Sequence, residues 1–175
     1  MSSRSSGDAP PRVHVFPVDV IVDSREQLPF AFAGLQSDTR DGGGPLVVTL
    51  RRGTIDAGDY SLAGHEARVA VERKSLSDLY STIGQGRERF ERELDRLSRL
   101  ECAAVIVEAE WSTILNDPPR HSQLSPKTVF RSIVAWQQRW RGVHWWMCAG
   151  RRHAEVTTFR VLERWWRDEE KGRHR

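Results

Sequence analysis

The sequence predicts an α/β protein: a layered sheet with helices packed on both faces. Three observations predict it. The stretch from Val18 to Lys74 is written in short apolar runs of strand type, and from Ser75 onward the apolar spacing lengthens to that of helices. Two further apolar runs, Ala103 to Val107 and Val143 to Cys148, are set between the helical segments. The length, 175 residues, suits one domain with a real core.

The elements follow in order. Residues 1–17, rich in Ser, Pro and Arg without apolar periodicity, are expected to form a disordered leader, with the domain over 18–168 and a basic tail over 169–175. Val18 to Val22 reads as a buried strand ending at Asp23. Leu46 to Leu50 reads as a second strand after the turn-rich Asp41-Gly42-Gly43-Gly44-Pro45. Tyr60 to Ala63 and Ala67 to Lys74 complete the β-rich half. Leu76, Leu79 and Ile83 then mark a helix, and after the Gly84/Gly86 break Phe90, Leu94 and Leu97 mark another. Beyond the Ala103–Val107 strand and the Pro118-Pro119 loop, Val129, Ile133, Trp136 and Trp140 fall on one helical face. The pairs Val161/Trp165 and Leu162/Trp166 mark a final amphipathic helix.

Composition narrows the function. Charged residues make up 29% of the chain but the net charge is only +3, so a nucleic-acid surface must come from local clustering of Arg. Lys74, Lys127 and Lys171 are the only lysines. Cys102 and Cys148 lack the spacing of a disulfide scaffold or a zinc site, which favours a reducing compartment. No stretch approaches the roughly 18 apolar residues of a membrane span, and the N-terminus lacks the apolar core of a signal peptide. An intracellular protein is expected: cytoplasm or nucleoid if bacterial or phage, nucleus if eukaryotic.

The chemistry is concentrated in Gly58-Asp59-Tyr60 and Val71-Glu72-Arg73-Lys74-Ser75-Leu76-Ser77-Asp78. Strand side chains alternate, so Glu72 and Lys74 share one face while Val71 and Arg73 take the other. With Asp59 on a neighbouring strand, two carboxylates converge beside an ammonium, the minimum apparatus for phosphodiester hydrolysis with a hard divalent cation. Lys74 would orient or deprotonate the attacking water and stabilise developing charge.

At these residues the chain resembles the XPF-type structure-specific nucleases, whose pattern is G-D, a spacer, then E-R-K-x-x-x-D inside a restriction-endonuclease-like fold. The match runs through Gly58-Asp59, Glu72-Arg73-Lys74 and Asp78, and upstream to Val22-Asp23-Ser24-Arg25-Glu26. Downstream, Asp78 to Gly86-Arg87 and the helix to Leu97 look like the family's segment after the motif, and the similarity covers roughly Val18 to Trp166. The resemblance implies a mixed central sheet, a metal site of Asp23, Asp59 and Glu72 holding Mg²⁺ or Mn²⁺, and Lys74 as catalytic base or water-positioning group. It implies supporting roles for Glu26, Arg73 and Asp78, with Arg73 bracing Asp78 or a neighbouring helix through an ion pair. Arg25 and Arg87 are the expected DNA contacts; Arg89, Arg92, Arg96 and Arg99 read as a solvated helical face. Tyr60 reads as a core aromatic, and His65, His121, His144 and His153 as structural or exposed.

The expected activity is a metal-dependent endonuclease acting on branched, flap or fork DNA in repair or recombination. A restriction-like duplex nuclease shares the same chemistry, and a non-catalytic DNA-binding scaffold subunit is the third reading. Neither the helix-hairpin-helix module nor the helicase of the resembled family is expected within 175 residues, so a homodimer or a nuclease-family partner is expected, through the Trp136/Trp140 and Trp165/Trp166 helices. No membrane association is expected.

Overall fold

The computed structural model describes residues 12–173. In chain order the strands β1 (His14–Val15), β2 (Val20–Asp23), β3 (Leu35–Gln36), β4 (Pro45–Val47), β5 (Leu50–Gly53), β6 (Tyr60–Leu62) and β7 (Val69–Lys74) come first. Helices α1 (Leu76–Gly84) and α2 (Arg87–Leu97), strand β8 (Cys102–Val107), helices α3 (Trp111–Asn116) and α4 (Pro126–Arg139), strand β9 (Val143–Met147) and helix α5 (Arg151–Arg173) follow.

The central sheet is mixed, in the order β5-β2-β6-β7-β8-β9. β2 and β7 both run antiparallel to β6, whereas β7, β8 and β9 are mutually parallel. The parallel part explains the unbroken apolar run of β8, whose residues 103–107 are fully buried, because a strand covered on both faces has no polar side to show. On one face the stripes of α1, α2 and α4 (Leu79, Ile83, Phe90, Leu94, Leu97, Val129, Ile133, Trp136) close over Val105 and Val107. On the other, Phe159 and Leu162 of α5 join Phe30, Phe32 and Tyr60 over Val71 and Ile106. Tyr60 is a core residue, stacked on Phe30 and accepting the Phe30 N–H at 2.8 Å.

Helix starts follow local chemistry. Ser75 caps α1 through the Asp78 N–H, and its own hydroxyl donates to Asp78 Oδ2 at 2.6 Å. Ser125 caps α4 through the Thr128 N–H, with Pro126 preset for the first turn.

Three expectations differ from the structure. The run Leu46 to Leu50 is split: β4 joins β1 and β3 in a separate three-stranded sheet, and β5 begins at Leu50 as the edge partner of β2. Apolar character does not encode a change of hydrogen-bonding partner midway. The leader expected over 1–17 is partly built into the fold, since His14 and Val15 pair with Leu46 and Val47 and Phe16 is buried edge-on against Phe159 and Trp166. Residues 1–11 lie outside the described residues. Likewise α5 runs on through most of the expected tail, with Glu169 paired to Arg68 at 2.7 Å, while 174–175 lie outside the described residues. The short α3 was not expected; of its six residues only Ile114 is buried, too few for a periodic stripe. Among the described residues no helix is long and apolar enough to cross a membrane.

Candidate active site

The site forms where β2, β6 and β7 come together. Gly58 has φ +81°, and a Cβ there would lie 3.0 Å from Val71 O, so glycine alone fits this corner without strain. Pressed against β7, the corner hands Asp59 to the ladder: the Asp59 N–H donates to Val71 O at 2.8 Å, and Asp59 O accepts the Asp23 N–H at 2.8 Å. The Asp59 side chain is turned toward β7, where Oδ2 accepts the Arg73 N–H at 2.8 Å. Glu72 and Lys74 share one face of β7, as alternation requires, and Lys74 Nζ donates to Glu72 Oε1 at 2.5 Å. The ammonium also lies 4.7 Å from the centre of the Phe90 ring.

Asp59, Glu72 and Lys74 form one wall of a cleft of about 360 Å³, and α2 forms the opposite wall with Arg89, Glu93 and Arg96. Arg25 stands at its edge, its side chain 72% exposed. Burial raises the Asp59 carboxyl, and the Glu72 charge raises it further. Glu72 is also raised by burial, against the opposing pull of Lys74. Burial alone would lower Lys74, but Glu72 and Asp59 outweigh it and the net shift is upward, so Lys74 stands as a cation at neutral pH. Two acids thus share a poorly solvated cleft that resists charging both of them, and the ammonium is bonded to Glu72.

The other expected site residues are distributed differently. Asp23, expected as a metal ligand, is only 1% exposed, and both its oxygens accept hydrogen bonds: Oδ1 from the Arg25 N–H and Nε, Oδ2 from Arg25 Nη2 and the Ile55 N–H. These bonds hold its carboxyl below the ordinary value against the raising effect of burial. Asp23 therefore anchors Arg25 at the end of β2 and is not among the residues that line the cleft. Arg73 reaches the reverse face, pairing with Glu108 at 2.6 Å and Glu26 at 3.4 Å over the Phe30 ring, so it braces β7 against β8 and not Asp78. Asp78 belongs to the α1 cap. Arg87, expected as a DNA contact, does not line the cleft: it bonds Ser132 Oγ and stacks over Trp136 at 5.0 Å, which ties α2 to α4.

Three charged cleft residues were missed as site members: Arg89, Glu93 and Arg96. Their i, i+4, i+7 spacing marks one helical face, but nothing local states which element that face meets. Glu93 Oε1 accepts the Gly58 N–H at 2.7 Å, and Oε2 pairs with Arg96. Arg89 is exposed at the cleft, with no ion pair to another described residue.

Among the described residues no three His, Cys, Asp or Glu side chains are grouped so as to hold a metal ion by themselves. The donor chemistry nevertheless fits a small hard cation. Asp59 Oδ1 and Glu72 Oε2 accept no hydrogen bond from the described residues, and Mg²⁺ characteristically takes one or two carboxylates and completes its shell with water and substrate phosphate.

The family model described as the ERCC4 domain matches residues 22–157. Among solved structures, "XPF from Aeropyrum pernix" has the same fold with a TM-score of 0.59 at 20% identity, over 89% of this chain and 69% of that chain. The structure described as "XPF from Aeropyrum pernix, complex with DNA" gives 0.59 at 19% identity, over 86% of this chain and 66% of that one. This chain thus corresponds to about two thirds of the length of each. No curated protein matches it in sequence.

Proposed function

We propose a function from the premise that this chain belongs to the ERCC4 domain family of structure-specific DNA nucleases: it hydrolyses phosphodiester bonds at branched, flap or fork DNA in repair or recombination, with Mg²⁺ or Mn²⁺ as cofactor. The observation that carries the reading is the pair of open carboxylate oxygens, on Asp59 and Glu72, beside the Lys74 ammonium in one cleft. A cation bound there would draw charge from the scissile phosphate and ease ionisation of a water. Asp59 and Glu72 hold that cation. Lys74, held by Glu72, directs a water at phosphorus and stabilises the charge that grows on the phosphate oxygens. Arg89 and Arg25 supply guanidinium groups for the flanking phosphates, which sets register without reading bases. Glu26, Arg73 and Glu108 keep β7 straight behind the acids. Arg87 and Asp23 drop out of the proposed contact set.

DNA as substrate is supported by the family and by the DNA bound to an archaeal XPF of the same fold. Pairing of two copies is proposed at β9 and α5. β9 is a sheet edge, Trp146 there is 49% exposed, and a groove of about 650 Å³ beside it is lined by His144, Val156, Val161 and Trp165. Trp136 and Trp140, expected in the interface, are internal at 2% and 5% exposed. Light scattering tests the pairing: a dimer mass that Trp146→Glu reduces to monomer is expected, and a monomer at every concentration contradicts it.

The functional test is cleavage of labelled duplex, flap, fork and junction DNAs with Mg²⁺, Mn²⁺ or EDTA. Cation-dependent cutting that favours flaps or forks is expected. Equal cutting of plain duplex would move the assignment to a restriction-like nuclease, and DNA binding with no cutting would move it to a scaffold subunit.

A further inference from the structure

We propose that Glu93 is a positioning residue of this site, holding from α2 the backbone corner that presents Asp59 to the cleft. The inference rests on the reading of Asp59 and Glu72 as the acids that hold the cation.

The geometry is specific. Asp59 is fixed from the β2 and β7 sides through its own N–H and C=O. The preceding residue has no place in either ladder, and its left-handed φ of +81° must be held by something else. Glu93 supplies that contact: Oε1 accepts the Gly58 N–H at 2.7 Å, from a side chain only 17% exposed. Arg96, three residues on, pairs with Oε2 and fixes the carboxylate's rotation. With both oxygens committed, Glu93 has little capacity to act as a third cation ligand or as a base. Its effect passes through the Gly58–Asp59 peptide to the aim of the Asp59 carboxylate. Without the acceptor, the Gly58 N–H loses its partner in a partly buried place, a cost the corner can relieve by rotating away from β7.

The arrangement also links the two walls of the cleft. Because Gly58 admits no side chain against Val71 and Ala70, this corner is where α2 can reach the backbone carrying Asp59. One helix thereby sets both the phosphate-facing Arg89 and the acid opposite it.

The test uses the full chain and variants Glu93→Ala, Glu93→Gln and Arg96→Ala, with Mn²⁺ alone as probe and binding read by calorimetry without DNA. Groups of this kind around a metal site typically change affinity 10- to 100-fold, so Glu93→Ala should weaken Mn²⁺ binding by about tenfold or more. Glu93→Gln keeps an oxygen acceptor and should stay within about threefold of the wild type by the same comparison. In cleavage assays the Ala variant should lose kcat at saturating Mn²⁺ with little change in KM for DNA. Glu93→Met, which keeps a helix-forming chain and removes the acceptor, replaces Ala if that variant does not fold.

Mn²⁺ affinity in Glu93→Ala equal to that of the wild type would overturn the proposal. So would a Gln variant as impaired as Ala, since charge would then be the cause; Arg96→Ala, which frees the carboxylate's rotation but keeps the acceptor, should fall between the wild type and Glu93→Ala. Amide exchange at Gly58 in metal-free protein separates this failure from that of the parent reading. Faster Gly58 exchange in Glu93→Ala is expected, and unchanged exchange sinks the positioning role alone. A wild type that binds no Mn²⁺ sinks the cation reading.

Discussion

At the scale of single residues, the cleft is held together by charges that would be unfavourable if left alone. Asp59 shows the consequence most plainly. Burial first, and the Glu72 charge second, lift its carboxyl from 3.8 to about 8. A folded-state pKa above the unfolded one means that folding takes up a proton, so the stability this group contributes is complete below the ordinary carboxyl range and is lost as pH rises through the folded value. In EDTA, the melting temperature of wild type relative to Asp59→Asn should therefore fall as pH goes from about 4 to about 8, leaving Asp59→Asn the more stable protein at the upper end. A melting difference that does not change across that window contradicts the account. The residues legible in the sequence were those whose relation is local: alternation alone put Glu72 and Lys74 together and Arg73 behind them. The hydrogen bonds of Asp23 were not legible because its acidic character says nothing of its partners. One of those, Arg25, is two residues away, while the Ile55 N–H arrives from the loop after β5. Glu93 was invisible because its partner, Gly58, is 35 residues distant.

At the scale of elements, helix α2 carries most of what the sequence hid. Its stripe of Phe90, Leu94 and Leu97 was legible from period and is buried as expected. A stripe fixes how a helix rolls onto its core but not what flanks the two sides of its polar half. The structure divides that half: Arg89, Glu93 and Arg96 face the cleft, and Arg92 and Arg99 are exposed outside it. Arg87 belongs to neither group, being held by Ser132 and Trp136. Arg89→Ala should accordingly weaken DNA binding for all sequences alike and reduce the salt slope by about one, the effect of losing one phosphate contact. Arg87→Ala should leave the slope unchanged and lower the melting temperature. The reverse pattern would return Arg87 to the DNA surface and leave Arg89 as solvated charge. The same limit of local pattern explains β4 and β5, where one apolar run changes sheets without any change in character.

At the scale of the whole molecule, the fold class was legible because a sheet covered on both faces leaves a strong mark: the unbroken apolar run of β8, and helical stripes on either side of it in sequence. The layered arrangement then dictates where chemistry can happen. β7 ends in Glu72-Arg73-Lys74 and the chain turns at once into α1 and α2, so the polar end of a buried strand is roofed by a helix that follows it closely in sequence. The cleft between them is the opening on the sheet that combines unpaired carboxylate oxygens with basic groups for a phosphate. The central claim is that this cleft performs cation-supported hydrolysis of DNA. Single-turnover cleavage of a flap or fork DNA in Mn²⁺ by the wild type and Glu72→Gln tests it most directly, with DNA affinity measured in EDTA and fold checked by circular dichroism. The account predicts a rate loss of roughly a hundredfold or more in Glu72→Gln, with affinity and fold retained. Cleavage at the wild-type rate by a folded Glu72→Gln protein would contradict it.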